Sequence, residues 1–166
     1  MKIVIAHNSF SFYWPHRLDA LSTALCDRGH SVSAIAVGTP HSRLGFIDQE
    51  GQQEGNCHWI RLFERETQLV TPKTAYKALW RTLDNLKPDV IVAGPIAFSV
   101  GIAALAWSRS RGAGIVIMDN ARVEDVSRSA LVNFVKRRLH HNVDAMLLPA
   151  ESHAKRADVL RSECSR

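Results

Sequence analysis

The chain has 166 residues, 46% of them hydrophobic, a formal net charge of +5 and three cysteines, with a pI near 9.4. That is enough apolar material for one domain with a real core, and the mild basic excess favours anionic ligands without naming one. Cys26, Cys57 and Cys164 are dispersed and form no C-x-x-C pair, which argues against a disulfide framework or zinc knuckle and for a reducing, cytoplasmic setting.

The first run, KIVIAH over residues 2–7, is β-branched and apolar on both faces, the pattern of a central parallel strand. Residues 8–14 (NSFSFYW) break it, and Pro15 suits the first turn of a helix. Leu18, Leu21 and Leu25 form one apolar stripe with Ala24 beside it, and Gly29 supplies the stop. A second buried strand is expected over 32–37, completing a βαβ unit. The opening strand shows no basic and apolar leader, so no signal peptide is expected.

Residues 38–56 read as a glycine-punctuated surface loop, and 57–63 (CHWIRLF) resume β character. Thr71 followed by Pro72 is an N-cap and N1 pair. The helix it opens carries Tyr76, Leu79, Trp80, Leu83 and Leu86 on one side and ends at Lys87-Pro88. Strands follow at 89–93 and 114–118, separated by a helix over 98–111 that is apolar nearly all round and closed by Gly112. Residues 91–107, the most apolar stretch, contain Gly94, Pro95, Ser99 and Gly101 and are too broken for a bilayer span. After the polar segment 119–128, a helix is expected over 129–141 with Leu131, Phe134, Val135 and Leu139 inward. A strand at 144–148 and a helix at 151–161 complete the chain.

Strands alternating with helices at this spacing predict an α/β fold: a Rossmann-like, doubly wound, mainly parallel six-stranded sheet in the order 3-2-1-4-5-6. Its ligand rim is built by the loops after the strands: residues 8–14, 38–42, 94–97, 119–125 and 149–152. The first loop has no glycine, so the G-x-G-x-x-G fingerprint of NAD or FAD binding is missing; a Walker A loop and a G-x-S-x-G elbow are also missing. His16 and Arg17, in the first helical turn, either meet an anion or are simply solvated. The loop after the fifth strand is the densest in polar groups, with Asp119, Asn120, Arg122, Glu124 and Asp125. Asp119, directly after a buried strand, is placed for general-base work or for holding a hydroxyl. Asp125 could instead cap the next helix, and Arg122 could pair with Glu124. The eight histidines show no H-x-x-x-H helical pair, so no metal site is expected. Lys136, Arg137 and Arg138 with His140 and His141 form a basic helix end that either complements the helix dipole or touches anionic lipid. Basic residues are not interleaved with aromatics, so no nucleic-acid partner is expected.

Three phrases, in this order and spacing, resemble the N-terminal domain of GT-B glycosyltransferases of the retaining, family-four-like group. They are the opening 37 residues with Leu25-Cys26-Asp27-Arg28-Gly29-His30-Ser31-Val32 ending the first helix, LKPDVIVAG, and DAMLLPAESHAKRADVL. The resemblance covers nearly the whole chain. It implies a single acceptor-side domain over 1–166 of a two-domain, nucleotide-sugar-dependent hexosyltransferase, acting with retention and without a bound metal or other cofactor. The donor-binding C-terminal domain is expected to be missing, so that the chain alone is inactive and works with that domain in cis or on a partner subunit. A glycan or lipid-linked acceptor in bacterial envelope, capsule or exopolysaccharide synthesis is implied, with a cytoplasmic location peripheral to the inner face of the membrane. The resemblance assigns Asp119 to orienting the sugar or acceptor hydroxyl. Asn8, Ser9, His16 and Arg17 would contact acceptor or donor diphosphate, Gly94 and Pro95 would line the cleft floor, and Asn120, Arg122 and Glu124 join the substrate-binding set. The first loop departs from the family's Gly-Gly pair, having Pro15-His16-Arg17 nearby. The alternative from a different class is a non-catalytic Rossmann-like binding or regulatory module acting with a partner.

Overall fold

The computed structural model describes residues 1–10, 14–39, 57–119 and 130–149. Six strands, β1 (Lys2–His7), β2 (Ser31–Ala36), β3 (His58–Arg61), β4 (Val90–Ala93), β5 (Gly114–Met118) and β6 (Ala145–Leu147), alternate with four helices. These are α1 (Trp14–Cys26), α2 (Pro72–Leu86), α3 (Ser99–Arg111) and α4 (Ala130–His140), with a short 3-10 turn at Thr67–Leu69. The strands pair only in parallel, in the order β3-β2-β1-β4-β5-β6. This is the expected doubly wound α/β sheet.

Side chains of β1 alternate between two cores, as a two-residue period requires. Val4 and Ala6 join Leu79, Leu83, Val100, Ala104 and Trp107 of α2 and α3 on one face. Ile5 joins Leu18, Val32, Ala34, Phe10 and Cys57 beneath α1 on the other. Strands buried on both faces must be apolar throughout, which explains the unbroken runs in the sequence.

Helix ends follow local chemistry. The Thr71 side chain accepts the Thr74 N–H at 3.3 Å, and Pro72 occupies the first turn of α2. Lys87 closes that helix at φ 49°, its N–H donating to the Leu83 carbonyl. Gly112 closes α3 at φ 73°, a backbone region that costs a side-chain-bearing residue about 1 kcal/mol.

Two helices sit differently from their sequence pattern. In α1 the buried positions are Leu18 and Ser22, whereas Leu21 is 44% exposed and Ala24 is also exposed. The small Ser22 fits against the sheet, rotating the contact face away from Leu21. In α4 the expected inward set is largely reversed. Leu131 (71%), Phe134 (63%) and Val135 (48%) face outward, while Leu139 packs on the core and His140 is buried. Among the described side chains of α4, Leu139 and His140, in its carboxyl-terminal half, are the ones turned inward. Residues 40–56 of the loop expected over 38–56, the polar segment after Asp119 and the expected helix at 151–161 lie outside the described residues.

Candidate functional site

All six strands point the same way, so their carboxyl ends form one rim. The order reverses between β1 and β4, whose connections leave to opposite sides and open a crevice there. Ala6 of β1 pairs with Ala93 of β4, and Ala93 with Ile117 of β5. One step further on, His7, Gly94 and Met118 are level across the crevice, with Asp119 immediately beyond.

The first loop is pinned by its backbone. The Asn8 carbonyl accepts from the Val37 N–H at 3.1 Å, the Gly38 N–H at 3.3 Å and the Thr67 hydroxyl at 3.0 Å. The same hydroxyl reaches the Thr39 carbonyl at 3.1 Å, so one threonine ties the ends of β1 and β2 together. Asn8 and Ser9 are thereby fixed at the rim, both half-buried.

His7 is the group the sequence reading passed over. Its Nδ1 lies 2.9 Å from the Ser9 carbonyl. A carbonyl only accepts, so Nδ1 carries the proton and the neutral ring leaves Nε2 as a bare acceptor. Burial pushes the His7 pKa below its usual 6.5, partly countered by the Ser9 carbonyl. The ring is flanked by Phe10 and Trp14, each with centroids at 5.8 Å, and Phe10 stands edge-on to Trp59 at 5.4 Å. Trp14 begins α1, so this aromatic cluster fixes the amino end of the helix against the rim. A polar residue ending a central strand at the switch point was the available signal.

Gly94 is buried directly beneath that ring; a Cβ there would meet His7 Cδ2 at 2.8 Å. Gly101 allows a second close approach, since its Cβ would strike the Pro95 carbonyl oxygen at 2.4 Å. The amino end of α3 is thereby seated on the Gly94-Pro95 turn. Asp119 is 5% exposed, and its N–H donates to the Leu147 carbonyl at 3.3 Å. The rim thus carries Asn8 and Ser9 after β1, Gly94 and Pro95 after β4 and Asp119 after β5, with His7 seated over Gly94. His16 and Arg17 are exposed in the first turn of α1. Asn120, Arg122 and Glu124 lie outside the described residues. Among the described residues, no three His, Cys, Asp or Glu side chains are grouped as metal ligands.

A groove of about 550 Å³ lies at the opposite, amino edge of the sheet, lined by Asp84, Lys87, Pro88, Trp107 and Arg111. Asp84 accepts from Trp107 Nε1 at 2.9 Å and from Arg111 Nη2 at 2.9 Å. The groove's polar contacts join α2 to α3 and lie far from the crevice.

A parallel, doubly wound six-stranded sheet with helices on both faces defines a Rossmann-like α/β domain. The sequence matches Glycosyltransferase Family 4 over residues 3–159, and the chain belongs to that family. Its fold is that of the N-terminal domain of a GT-B glycosyltransferase, similar to several solved structures. UDP-GlcNAc 2-epimerase from Methanocaldococcus jannaschii aligns with a TM-score of 0.58 at 16% identity, covering 98% of this chain and 42% of that one. Acinetobacter baumannii MurG aligns at 0.52 and 15% identity, covering 92% and 42%. UDP-GlcNAc 2-epimerase from Neisseria meningitidis, solved bound to UDP-GlcNAc, aligns at 0.58 and 12% identity, covering 98% and 43%. The chain spans less than half the length of each. No curated protein sequence matches it.

Proposed function

We propose that this chain is the acceptor-side domain of a nucleotide-sugar-dependent hexosyltransferase of the retaining type, serving envelope, capsule or exopolysaccharide synthesis. The observation that carries this reading is the family match along residues 3–159, on a parallel sheet whose β1, β4 and β5 run out at His7, Gly94 and Asp119. The solved neighbours named for UDP-GlcNAc chemistry or bound to UDP-GlcNAc support a nucleotide sugar as substrate. The donor's nucleotide would be held by a second Rossmann-like domain, in cis or on a partner subunit, and the present chain alone would not turn over.

In this reading the acceptor hydroxyl oxygen bonds to the anomeric carbon, and the nucleoside diphosphate leaves with the electron pair of the broken C–O bond. The acceptor's proton passes to the departing phosphate or to solvent. Asp119 orients the sugar or acceptor hydroxyl from the end of β5. Asn8, Ser9, His16 and Arg17 contact acceptor or diphosphate; Gly94 and Pro95 form the floor; Asn120, Arg122 and Glu124 complete the substrate set. Neutral Nε2 of His7 accepts a hydrogen bond from a ligand hydroxyl. Electrostatic positioning of this kind needs no bound metal. The setting is cytoplasmic, against the inner face of the membrane; among the described residues no helix is long and apolar enough to cross it.

The test begins with the native transcript, sequenced through and beyond codon 166, and continues with the encoded polypeptide incubated with labelled nucleotide sugars and glycan acceptors. Transfer insensitive to a chelator, with the anomeric configuration of the donor kept in the product, is expected. Inverted product would overturn retention, and single-turnover transfer by residues 1–166 alone would overturn the need for a second domain. A frame that ends at Arg166, with no transfer alone or with a partner, would favour the non-catalytic binding module.

A further inference from the structure

The segment after β1 carries rings where a phosphate-binding loop carries glycines. Residues 8–14 (NSFSFYW) include no glycine, so the backbone has no Gly-rich approach to a diphosphate. What this part of the chain brings to the crevice instead is aromatic. Phe10 is the anchor: 8% exposed, it stands edge-on to Trp14 at 5.5 Å and to Trp59 at 5.4 Å. Trp14 and His7, their ring centroids 5.8 Å apart, are only half-buried, so each keeps open surface near the carboxyl end of β1. The fold sets the two nitrogens of His7 apart. Nδ1 is held by the Ser9 carbonyl, whereas Cδ2 and Nε2 are the ring atoms that a Cβ on Gly94 would meet first, so Nε2 faces β4. Among the described residues Nε2 has no hydrogen-bond partner.

We propose that Trp14 and His7 form a subsite for a hexopyranose ring, whose C–H face lies on the Trp14 indole while one of its hydroxyls donates to His7 Nε2. A pyranose has that split character. The C–H groups of one face are apolar and weakly positive, which matches the electron-rich face of an indole, and the hydroxyls around the ring's edge need fixed acceptors. A diphosphate gains nothing here, because the aromatic faces and Nε2 are electron-rich and offer it no donor. Gly94 belongs to the same device, since a side chain there would displace the ring that carries Nε2. The assignment deepens the transferase reading by naming a sugar ring as the group held beside β1. It rests on that reading for the sugar's role as acceptor, but not for its binding.

Saturation-transfer NMR on the 166-residue chain tests the subsite, with the methyl glycosides of glucose, galactose, mannose and N-acetylglucosamine as probes. Irradiating the aromatic resonances should pass saturation to the C–H protons on one face of at least one of these sugars. That pattern is read on the parent chain, so it holds even where a variant fails to fold. Trp14→Ala should raise the Kd about tenfold, and Trp14→Tyr should keep it within about threefold of the parent. His7→Phe, which keeps a ring beside Trp14 but removes the acceptor, should raise it about tenfold. No saturation of any probe, or binding unchanged in both Trp14→Ala and His7→Phe, would overturn the subsite. Sugar transfer by the full-length polypeptide that is indifferent to Trp14→Ala would overturn it while leaving the transferase reading intact. One-face saturation in a protein whose full-length form transfers no sugar would uphold the subsite and overturn that reading.

Discussion

The imidazole of His7 lies directly over the α-carbon of Gly94: a methyl group at position 94 would come to 2.8 Å from Cδ2 and 3.3 Å from Nε2. The ring cannot yield easily, because Phe10 and Trp14 flank it and Nδ1 is bound to the Ser9 carbonyl. Gly94→Ala should therefore overpack the crevice and cost about 1–3 kcal/mol. Denaturant titration with tryptophan fluorescence measures both the loss and the disturbance of Trp14. A variant as stable as the parent would show that the ring has room to move.

His7 also makes stability depend on pH. Burial holds its pKa in the folded chain below the 6.5 of the free side chain, so the unfolded state binds a proton that the folded state resists. Its neutral ring is accommodated without penalty above pH 6.5, and stability falls as pH drops below that value. In His7→Phe, which keeps a ring between Phe10 and Trp14, this part of the slope should vanish. Denaturation of both proteins across the mildly acidic range measures it; identical slopes would contradict it.

Cys57 and Cys26 should differ sharply toward thiol reagents. Burial, helped by the negative field of Asp19, pushes the Cys57 thiol up to about 11, and the residue is buried. Cys26 is half-buried. At mildly alkaline pH, iodoacetamide followed peptide by peptide should label Cys26 first and reach Cys57 only on unfolding, since the thiolate is the nucleophile. Equal labelling rates in the native protein would contradict the buried position of Cys57.

Asp144 ties the start of β6 to β5. The Ile115 N–H and then the Arg109 guanidinium hold its carboxyl below the usual carboxylate range. A lowered pKa stabilises the fold above the ordinary Asp value, and the benefit is lost as pH falls through the depressed one. Because the side chain is half exposed, its ion pair contributes no more than about 1 kcal/mol. Asp144→Asn should be less stable at neutral pH, with the difference from the parent closing at strongly acid pH. A difference independent of pH would assign the effect to packing.

The central strands were legible because runs buried on both faces are apolar, as IVIA, VIVA and GIVIM are, and the order followed from six such runs alternating with helices. The ends of the apolar runs marked the rim, and so the positions of Asn8, Gly94 and Asp119 at it. Helix faces were less legible. Spacing marks an apolar arc but not its centre, so Leu21 was read as buried where Ser22 is. In α4, Leu131, Phe134 and Val135 formed a regular arc that the structure turns outward, because an apolar side chain is free to remain at the surface. His7 was hidden by its strand: only the pairing of β1 with β4 shows that it sits over Gly94.

Asp119 is where the glycosyltransferase reading meets its most direct measurement: initial rates of sugar transfer by the full-length polypeptide, with and without Asp119→Ala. The side chain is nearly buried at the end of β5, where a fixed carboxylate positions a hydroxyl far better than water does. Loss of kcat by at least about a hundredfold is expected, with unchanged circular dichroism and with Asp119→Asn as the isosteric control. Wild-type turnover in Asp119→Ala would remove the β5 end from the site and contradict the assignment.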